Sequence, residues 1–333
     1  MTRDDRTMLG MLAVLAARGL GDSGVPSERW LEVHTSDVPI TTPAARVPLS
    51  AGLKLWRRLP EVAGRDTIGL RLAGRVPVSN LHLLGTAVGS APHLFGAVQV
   101  FCRYFHYLCT VDHLSEQISG DITTITWDDN ADVAPASLRD FVLAQLATII
   151  ERFAVRSVRP RRLLLNGPAP RRWRHYGDLF DCPIEFDQRQ SQLVLHTSDL
   201  SVPLFGSNPA LHTAVTHRLG AFDRYRSTLS TRVVGAIEQL LDAGEIRIEA
   251  VADLMAMSPR ALQKQLSVEG VQFSELLRRV RQRRALTLLC ETDTPVTGVA
   301  VALGYGSPGS FSRAFQEWFG RSPAAFREAR RMS

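Results

Sequence analysis

The sequence predicts an α+β N-terminal domain, helices with an antiparallel sheet, followed by an all-α C-terminal domain of two helix-turn-helix units joined by a linker helix. Three observations predict it. Helix and strand signals mix over the first ~205 residues. From Thr228 onward the strand signals vanish. Within that helical end, one segment repeats at a spacing of roughly 49 residues.

A chain of 333 residues has room for two hydrophobic cores. Its 45% hydrophobic and 22% charged content is ordinary for a soluble globular protein. No apolar run approaches the roughly 20 residues needed to cross a bilayer, so no membrane partner is expected. The stretch Met8 to Arg18 predicts a first helix. It follows Asp4 and Asp5 and lacks a small-residue cleavage site, so we expect no signal peptide and a cytoplasmic protein.

Leu81 to Leu108 reads as two apolar helices broken near Pro92. Two alternating stretches follow, Leu114–Ile118 and Ile122–Trp127, and the tight Ser119-Gly120-Asp121 between them marks a hairpin. Ser137 to Val155 predicts a long helix with apolar residues at Phe141, Leu143, Leu146, Ile149, Ile150 and Phe153. Further strands are expected at Arg162–Leu165 and Gln192–His196. The Gly/Ser/Asn/Pro cluster Leu204–Pro209 is the first plausible boundary, and Ala210 to Arg226 reads as a connecting helix. The expected division is 1–205, 206–227 as connector, and 228–333.

The repeat runs from Val251 to Leu266 and again from Val299 to Phe315. In each copy a short apolar helix meets a tight turn, and Ser-Pro opens a second helix. Ser258 and Ser307 stand at the N-cap, and Pro259 and Pro308 at the first helical position, where a missing N–H costs nothing. Four-residue spacing buries Leu262 and Leu266, or Phe311 and Phe315. That turns Arg260, Gln263 and Lys264 outward in the first copy, and Ser312, Arg313 and Gln316 in the second. Donor-rich side chains on the exposed face of a second helix suit major-groove readout, with Arg or Lys addressing guanine and Gln adenine.

Between the copies, Phe273, Leu276, Leu277, Val280 and Leu288 form an apolar stripe on one helix. Arg278, Arg279, Arg281, Arg283 and Arg284 occupy its other faces as candidate phosphate contacts. Two units held about one turn of DNA apart, roughly 34 Å, would address successive major grooves of double-stranded promoter DNA. The net charge of +6 permits nucleic acid, and nearly every cation is arginine, since only Lys54 and Lys264 are lysines.

These residues carry a resemblance. Residues ~228–330 resemble the DNA-binding domain of the AraC/XylS family of transcription regulators, from Ala-Leu-Gln-Lys-Gln-Leu in the first unit through Gly-Tyr-Gly-Ser-Pro-Gly-Ser-Phe in the second to the closing Gly320-Arg-Ser-Pro323 with Phe326-Arg327. The resemblance implies base readers early in each second helix: Arg260, Gln263 and Lys264, then Pro308, Gly309, Ser312 and Arg313. Here the chain departs from the pattern, because Pro308 and Gly309 offer no side-chain donor. Gly298, inside the second unit's first helix, should weaken that helix by up to ~1 kcal/mol relative to Ala. The first domain resembles the arabinose-binding-domain type of effector domain through Ile68–Ala73, Gly85 with Ala91-Pro-His-Leu94 and Tyr104, and Leu179–Phe186. The resemblance implies a small-molecule effector, a homodimer as one possible state, and activation through RNA polymerase; no cofactor is expected.

Tyr104, Tyr107, Trp127, Trp56 and Arg71 are the candidate lining of an effector pocket, set against the plain reading of core aromatics with one wet end. Cys102, His106 and Cys109 share one helical face, which leaves a metal or redox sensor as an alternative, with His113 or His82 as further ligand; buried core side chains are the bland reading. A DNA-targeted alkyl-repair enzyme is the other alternative. It needs a reactive cysteine setting that Cys102, Cys109, Cys182 and Cys290 do not supply. No Gly-x-Ser-x-Gly, phosphate-binding Gly-rich loop or His-Glu-x-x-His occurs, so no enzyme is expected.

Overall fold

Strand β1 (Thr7–Leu9) pairs antiparallel with β2 (Arg46–Pro48), Met8 opposite Val47, where a helix was expected to begin. Met8 is fully buried and lies against Gly52, and the Thr7 backbone is held on both sides by Thr110. These tertiary contacts override the local helical pattern. The computed structural model describes residues 7–9, 12, 46–110, 114–127, 134–223, 229–243 and 246–331. The rest of the helix expected to Arg18, apart from Leu12, lies outside them.

Helices α1 (Leu49–Ala63), α2 (Ile68–Arg75), α3 (His82–Gly89) and α4 (Leu94–Leu108) follow. The break between α3 and α4 falls at Ala91-Pro92-His93, as the proline dictates. His93 starts α4 as its N-cap, its Nδ1 accepting from the Gly96 N–H. Strands β3 (Leu114–Ser119) and β4 (Ile122–Trp127) flank the expected turn, where Gly120 takes the left-handed φ of +60°. Next come α5 (Ala136–Phe153), β5 (Arg162–Leu164), α6 (Arg174–Phe180), β6 (Ile184–Glu185) and β7 (Ser191–His196).

The sheet runs in the order β3-β4-β7-β5-β6. Its described pairings β4–β7 and β7–β5 are antiparallel, with Ile125 and Leu163 both opposite Leu193, but the edge pair β5–β6 is parallel. Helix α6 makes that crossover, so an antiparallel expectation gains one parallel edge. Ile125, Leu163, Leu193 and Leu195 are fully buried.

Helix α5 is the centre of this unit. Every residue from Ser137 to Ile150 is buried, so helices surround it and its amphipathic pattern is weak. Its polar residues are spent on neighbouring backbone: Gln145 Nε2 donates to the carbonyls of Ala73 and Val76 at the end of α2, and Ser137 Oγ donates to Trp56 O. Helix α2 lies so close that a Cβ on Gly69 would stand 2.1 Å from the Ser137 carbonyl oxygen. Gly69→Ala is therefore expected to destabilise the protein by about 3 kcal/mol or more in urea unfolding. Gly74→Ala, in the same helix but facing open space, should instead gain up to about 1 kcal/mol.

Helix α7 (Pro209–Asp223) comes next, and the chain divides into two units within it, between Leu219 and Gly220. The second unit is all helical: α8 (Leu229–Ala243), α9 (Ile248–Leu254), α10 (Pro259–Val268), α11 (Phe273–Glu291), α12 (Val296–Ala302), α13 (Pro308–Phe319) and α14 (Pro323–Arg331). Helix α11 packs on α8 and also on α12 and α14. Its buried residues accordingly spread beyond the expected stripe: Leu276 and Val280 are buried, as are Gln282, Ala285, Leu286, Leu289 and Cys290, while Phe273, Leu277 and Leu288 are half-buried. A helix with partners on more than one face cannot keep a single stripe. No helix among the described residues is long and apolar enough to cross a membrane.

Candidate nucleic-acid interface

Each helix-turn-helix is built on the same backbone scheme. In the first, Met255 N–H returns to Val251 O, Ala256 N–H to Asp253 O, and Met257 N–H to Ala252 O. In the second, Leu303, Gly304 and Tyr305 repeat those bonds to Val299, Val301 and Ala300. Ala256 and Gly304 occupy the left-handed position, φ +54° and +68°. The second turn then carries one extra residue, Gly306, before its capping serine.

Glycine fits the left-handed conformation; alanine pays a Cβ clash of about 1 kcal/mol or more there. Ala256→Gly is thus expected to raise stability by about 0.5 kcal/mol, after the added freedom of the unfolded chain is subtracted. A lowered unfolding midpoint would refute this account of the turn.

The capping serines behave as their sequence positions require. Ser258 Oγ accepts from Ala261 N–H and Ser307 Oγ from Ser310 N–H, both at 3.2 Å. A third Ser-Pro pair opens α14 in the same way, Ser322 Oγ accepting from Ala325 N–H. Behind α10 lies an aliphatic core that includes Val251, Leu262 and Leu266, all buried. Behind α13 the core is aromatic: the Phe315 ring centroid is 5.7 Å from Phe311, 4.4 Å from Phe319 and 5.6 Å from Phe326. Gly298 sits in α12, where a Cβ would meet the Thr294 methyl at 2.9 Å.

With those faces buried, Arg260, Gln263 and Lys264 are exposed on α10. On α13, Pro308, Gly309, Arg313 and Gln316 are exposed and Ser312 is half-buried. Among the described residues, the side chains of Arg260, Gln263, Lys264 and Arg313 make no hydrogen bond or ion pair. Cations left unspent by the fold remain available to base edges or phosphate.

The arginines of α11 divide differently. Arg281 is committed to the second unit's turn: Nε donates to Leu303 O at 3.0 Å, Nη2 to Gly304 O at 3.3 Å, and the guanidinium lies 4.6 Å from the Tyr305 ring centre. It thereby caps the end of α12. Burial raises the Tyr305 phenol pKa, and Arg281 partly offsets that shift. Arg279 pairs with Glu275 one turn back. Arg278 and Arg283 are half-buried and Arg284 is exposed. Sequence periodicity could not reveal the Arg281 role, because its partners are backbone carbonyls rather than a patterned side chain. It also missed Glu269, whose carboxylate accepts from the Leu229 and Ser230 N–H groups and so fastens α10 to the start of α8.

The first unit holds the five candidate pocket residues. Trp56 is fully buried with its ring 5.2 Å from Phe141, and Trp127 is 1% exposed with its ring 5.9 Å from Phe105. Tyr104 is buried beside Arg103, while Tyr107 and Arg71 are half-buried. None of the five lines the cleft of about 1070 Å³ that opens elsewhere in this unit. Cys102 and Cys109 are buried and His106 turns its Nδ1 to Arg103 O. Among the described residues no three His, Cys, Asp or Glu side chains gather to hold a metal ion. His113 lies outside the described residues.

Comparison with known proteins bears on both units. The family model described as the arabinose-binding domain of AraC transcription regulator, N-terminal, matches residues 32–204, just over half of the chain. A helix-turn-helix domain model matches residues 251–329. The chain is 27% identical over 275 residues to the ornithine utilization regulator of Pseudomonas aeruginosa, covering 80% of each protein. It is 26% identical over 274 residues to the HTH-type transcriptional regulator VirS of Mycobacterium tuberculosis, covering 78% of each. The crystal structure of the transcriptional regulator CdpR from Pseudomonas aeruginosa is 22% identical, with a TM-score of 0.41 over 96% of this chain and 98% of that one. These domains and relatives are those of regulators, not enzymes. The chain belongs to the AraC family of transcription regulators and is a DNA-binding helix-turn-helix protein.

Proposed function

We propose that the chain is an effector-responsive regulator, with residues 1–205 sensing a small molecule, 206–227 connecting, and 228–333 reading promoter DNA in two successive major grooves. The observation that carries the reading is the unspent donor row on α10, Arg260, Gln263 and Lys264, exposed and capped into place by Ser258. Arg313 supplies the corresponding cation on α13, with Ser312 beside it and the backbone of Pro308 and Gly309 closest to the helix start. Arg278, Arg283 and Arg284 are the arginines of α11 proposed to meet phosphate, Arg281 being held by its own fold. Activation through RNA polymerase and assembly as a homodimer complete the proposal on family grounds.

The test is occupancy mapping on the source genome, followed by gel-shift titration of purified full-length protein on the enriched segments at several salt concentrations. Specific sites should bind about 10³-fold or more tightly than random DNA at moderate salt. Equal affinity for both would overturn the proposal. Transcription from those promoters with and without the regulator separates activation from repression.

A further inference from the structure

The open cleft of the first unit has a buried polar floor. Arg139 and Asp140, on the first turns of α5, are 8% and 2% exposed, and Tyr176 on α6 is 2% exposed. Arg139 donates through Nε and Nη2 to Asp140 Oδ1, at 3.1 and 2.9 Å, and Tyr176 Oη donates to Asp140 Oδ2 at 2.6 Å. Burial first, and the Asp140 carboxylate second, hold the Tyr176 phenol far above its ordinary range, so it stays a donor. Arg139 Nη1 also donates to Asn166 O at 2.7 Å, fixing the loop that forms one wall to the floor. The floor is thus preorganised and internally neutral.

The rim is charged with both signs. Arg171 and Arg172 line it from the loop anchored at Asn166, and Arg65 lines it from the segment between α1 and α2. Glu61 and Asp66 flank Arg65. Among the described residues none of these five side chains makes an ion pair or hydrogen bond, although cations and carboxylates line the same space. Small-molecule sites are mostly apolar with a few placed polar groups. A cleft with unpaired charges of both signs over a neutral floor instead suits a ligand that is itself charged at both ends.

We infer that this cleft binds a small zwitterion, a free amino acid or a short peptide, with its carboxylate on Arg171 and Arg172 and its ammonium on Asp66 and Glu61. The inference rests on the reading of residues 1–205 as the effector domain and names the effector's chemistry. Two guanidiniums on consecutive residues of one wall can offer a carboxylate the forked, charge-assisted hydrogen bonds that it binds most strongly. The volume of about 1070 Å³ leaves room beyond the α-carbon for a long side chain or a second residue.

The experiment is isothermal titration of the full chain with the proteinogenic L-amino acids and with dialanine. Succinate, putrescine and L-arabinose serve as dianionic, dicationic and neutral probes. At least one zwitterion should bind saturably while the other three do not; an amino acid or dialanine as the tighter ligand tells the free form from the peptide. The double variant Arg171→Ala with Arg172→Ala, both exposed, should weaken that ligand about ten- to a hundredfold with an unchanged unfolding curve. Asp66→Asn should weaken it about tenfold. No zwitterion binding at millimolar concentration, equal binding by succinate, or wild-type affinity in both variants would overturn the inference. Zwitterion binding that leaves operator affinity and transcription unchanged keeps the cleft and defeats the effector reading. Regulation by a ligand indifferent to the Arg171/Arg172 variant does the reverse.

Discussion

Replacing Arg260, Gln263 and Lys264 together by alanine is expected to lower affinity for a specific site by about two to six orders of magnitude. Each base-reading side chain contributes about 1–3 kcal/mol, and 1.4 kcal/mol is tenfold in binding. All three are exposed on α10, and their removal leaves the Leu262 and Leu266 core and the Ser258 cap untouched. The variant should therefore unfold like wild type and keep its weak binding to random DNA. The matching single change on α13, Arg313→Ala, should cost only about 1–3 kcal/mol, because Pro308 and Gly309 offer no side-chain donors. Gel-shift titrations on one operator measure both. If the triple variant bound as wild type, the proposal that α10 reads bases would fail.

The second large effect concerns a residue that faces no nucleotide. Phe315 is fully buried and its ring meets those of Phe311, Phe319 and Phe326. Phe315→Ala is expected to cost about 3–5 kcal/mol, through lost burial and a cavity that the surrounding rings close incompletely. A domain of this size has about 5–15 kcal/mol in total, so α13 and α14 should lose much of their hydrogen-exchange protection. Operator binding should fall along with it. Arg313→Ala sits two positions away on the same helix and should leave stability within about 0.5 kcal/mol. Measuring stability and affinity on both variants separates a reader from a support. A Phe315→Ala protein with native exchange protection would show that the aromatic core is not what holds α13.

The parts legible in the sequence were those whose cause is local. Ser-Pro at 258–259 and 307–308 marks the helix starts because a serine cap and a proline at the first position need no tertiary partner. The break at Pro92 and the turn at Gly120 are of the same kind. What escaped depends on residues distant in sequence. Thr7–Leu9 becomes a strand only because Arg46–Pro48 lies beside it. Strand β6 is two residues long and is defined by its pairing with β5. The stretches Ile68–Ala73 and Gly85 carry a family resemblance in the sequence, and at Gly69 and Gly85 their physical meaning is close approach. A Cβ on Gly69 would strike Ser137 O, and one on Gly85 would stand 1.9 Å from Val78 O. The cleft draws on segments near residues 60–66, 134–140 and 166–176, which no linear pattern joins. Trp56 and Trp127 are polar-capable aromatics by type, and both lie in the core.

Helix α11 packs against α8 and also against α12 and α14, and runs without a break from Phe273 to Glu291. An α-helix turns about 100° and rises about 1.5 Å per residue. One residue inserted between Val280 and Ala285 would turn α13 by about 100°, just over a quarter of a revolution, relative to α10. A seven-residue insertion would nearly restore that phase but move the second unit about 10 Å along the axis. Deletions and insertions here are therefore expected to shift that phase or spacing in a way that loop indels do not. If both helix-turn-helix units read DNA as proposed, the length of this helix would set the spacing of the half-sites, which should then be constant to within about a base pair across the target promoters.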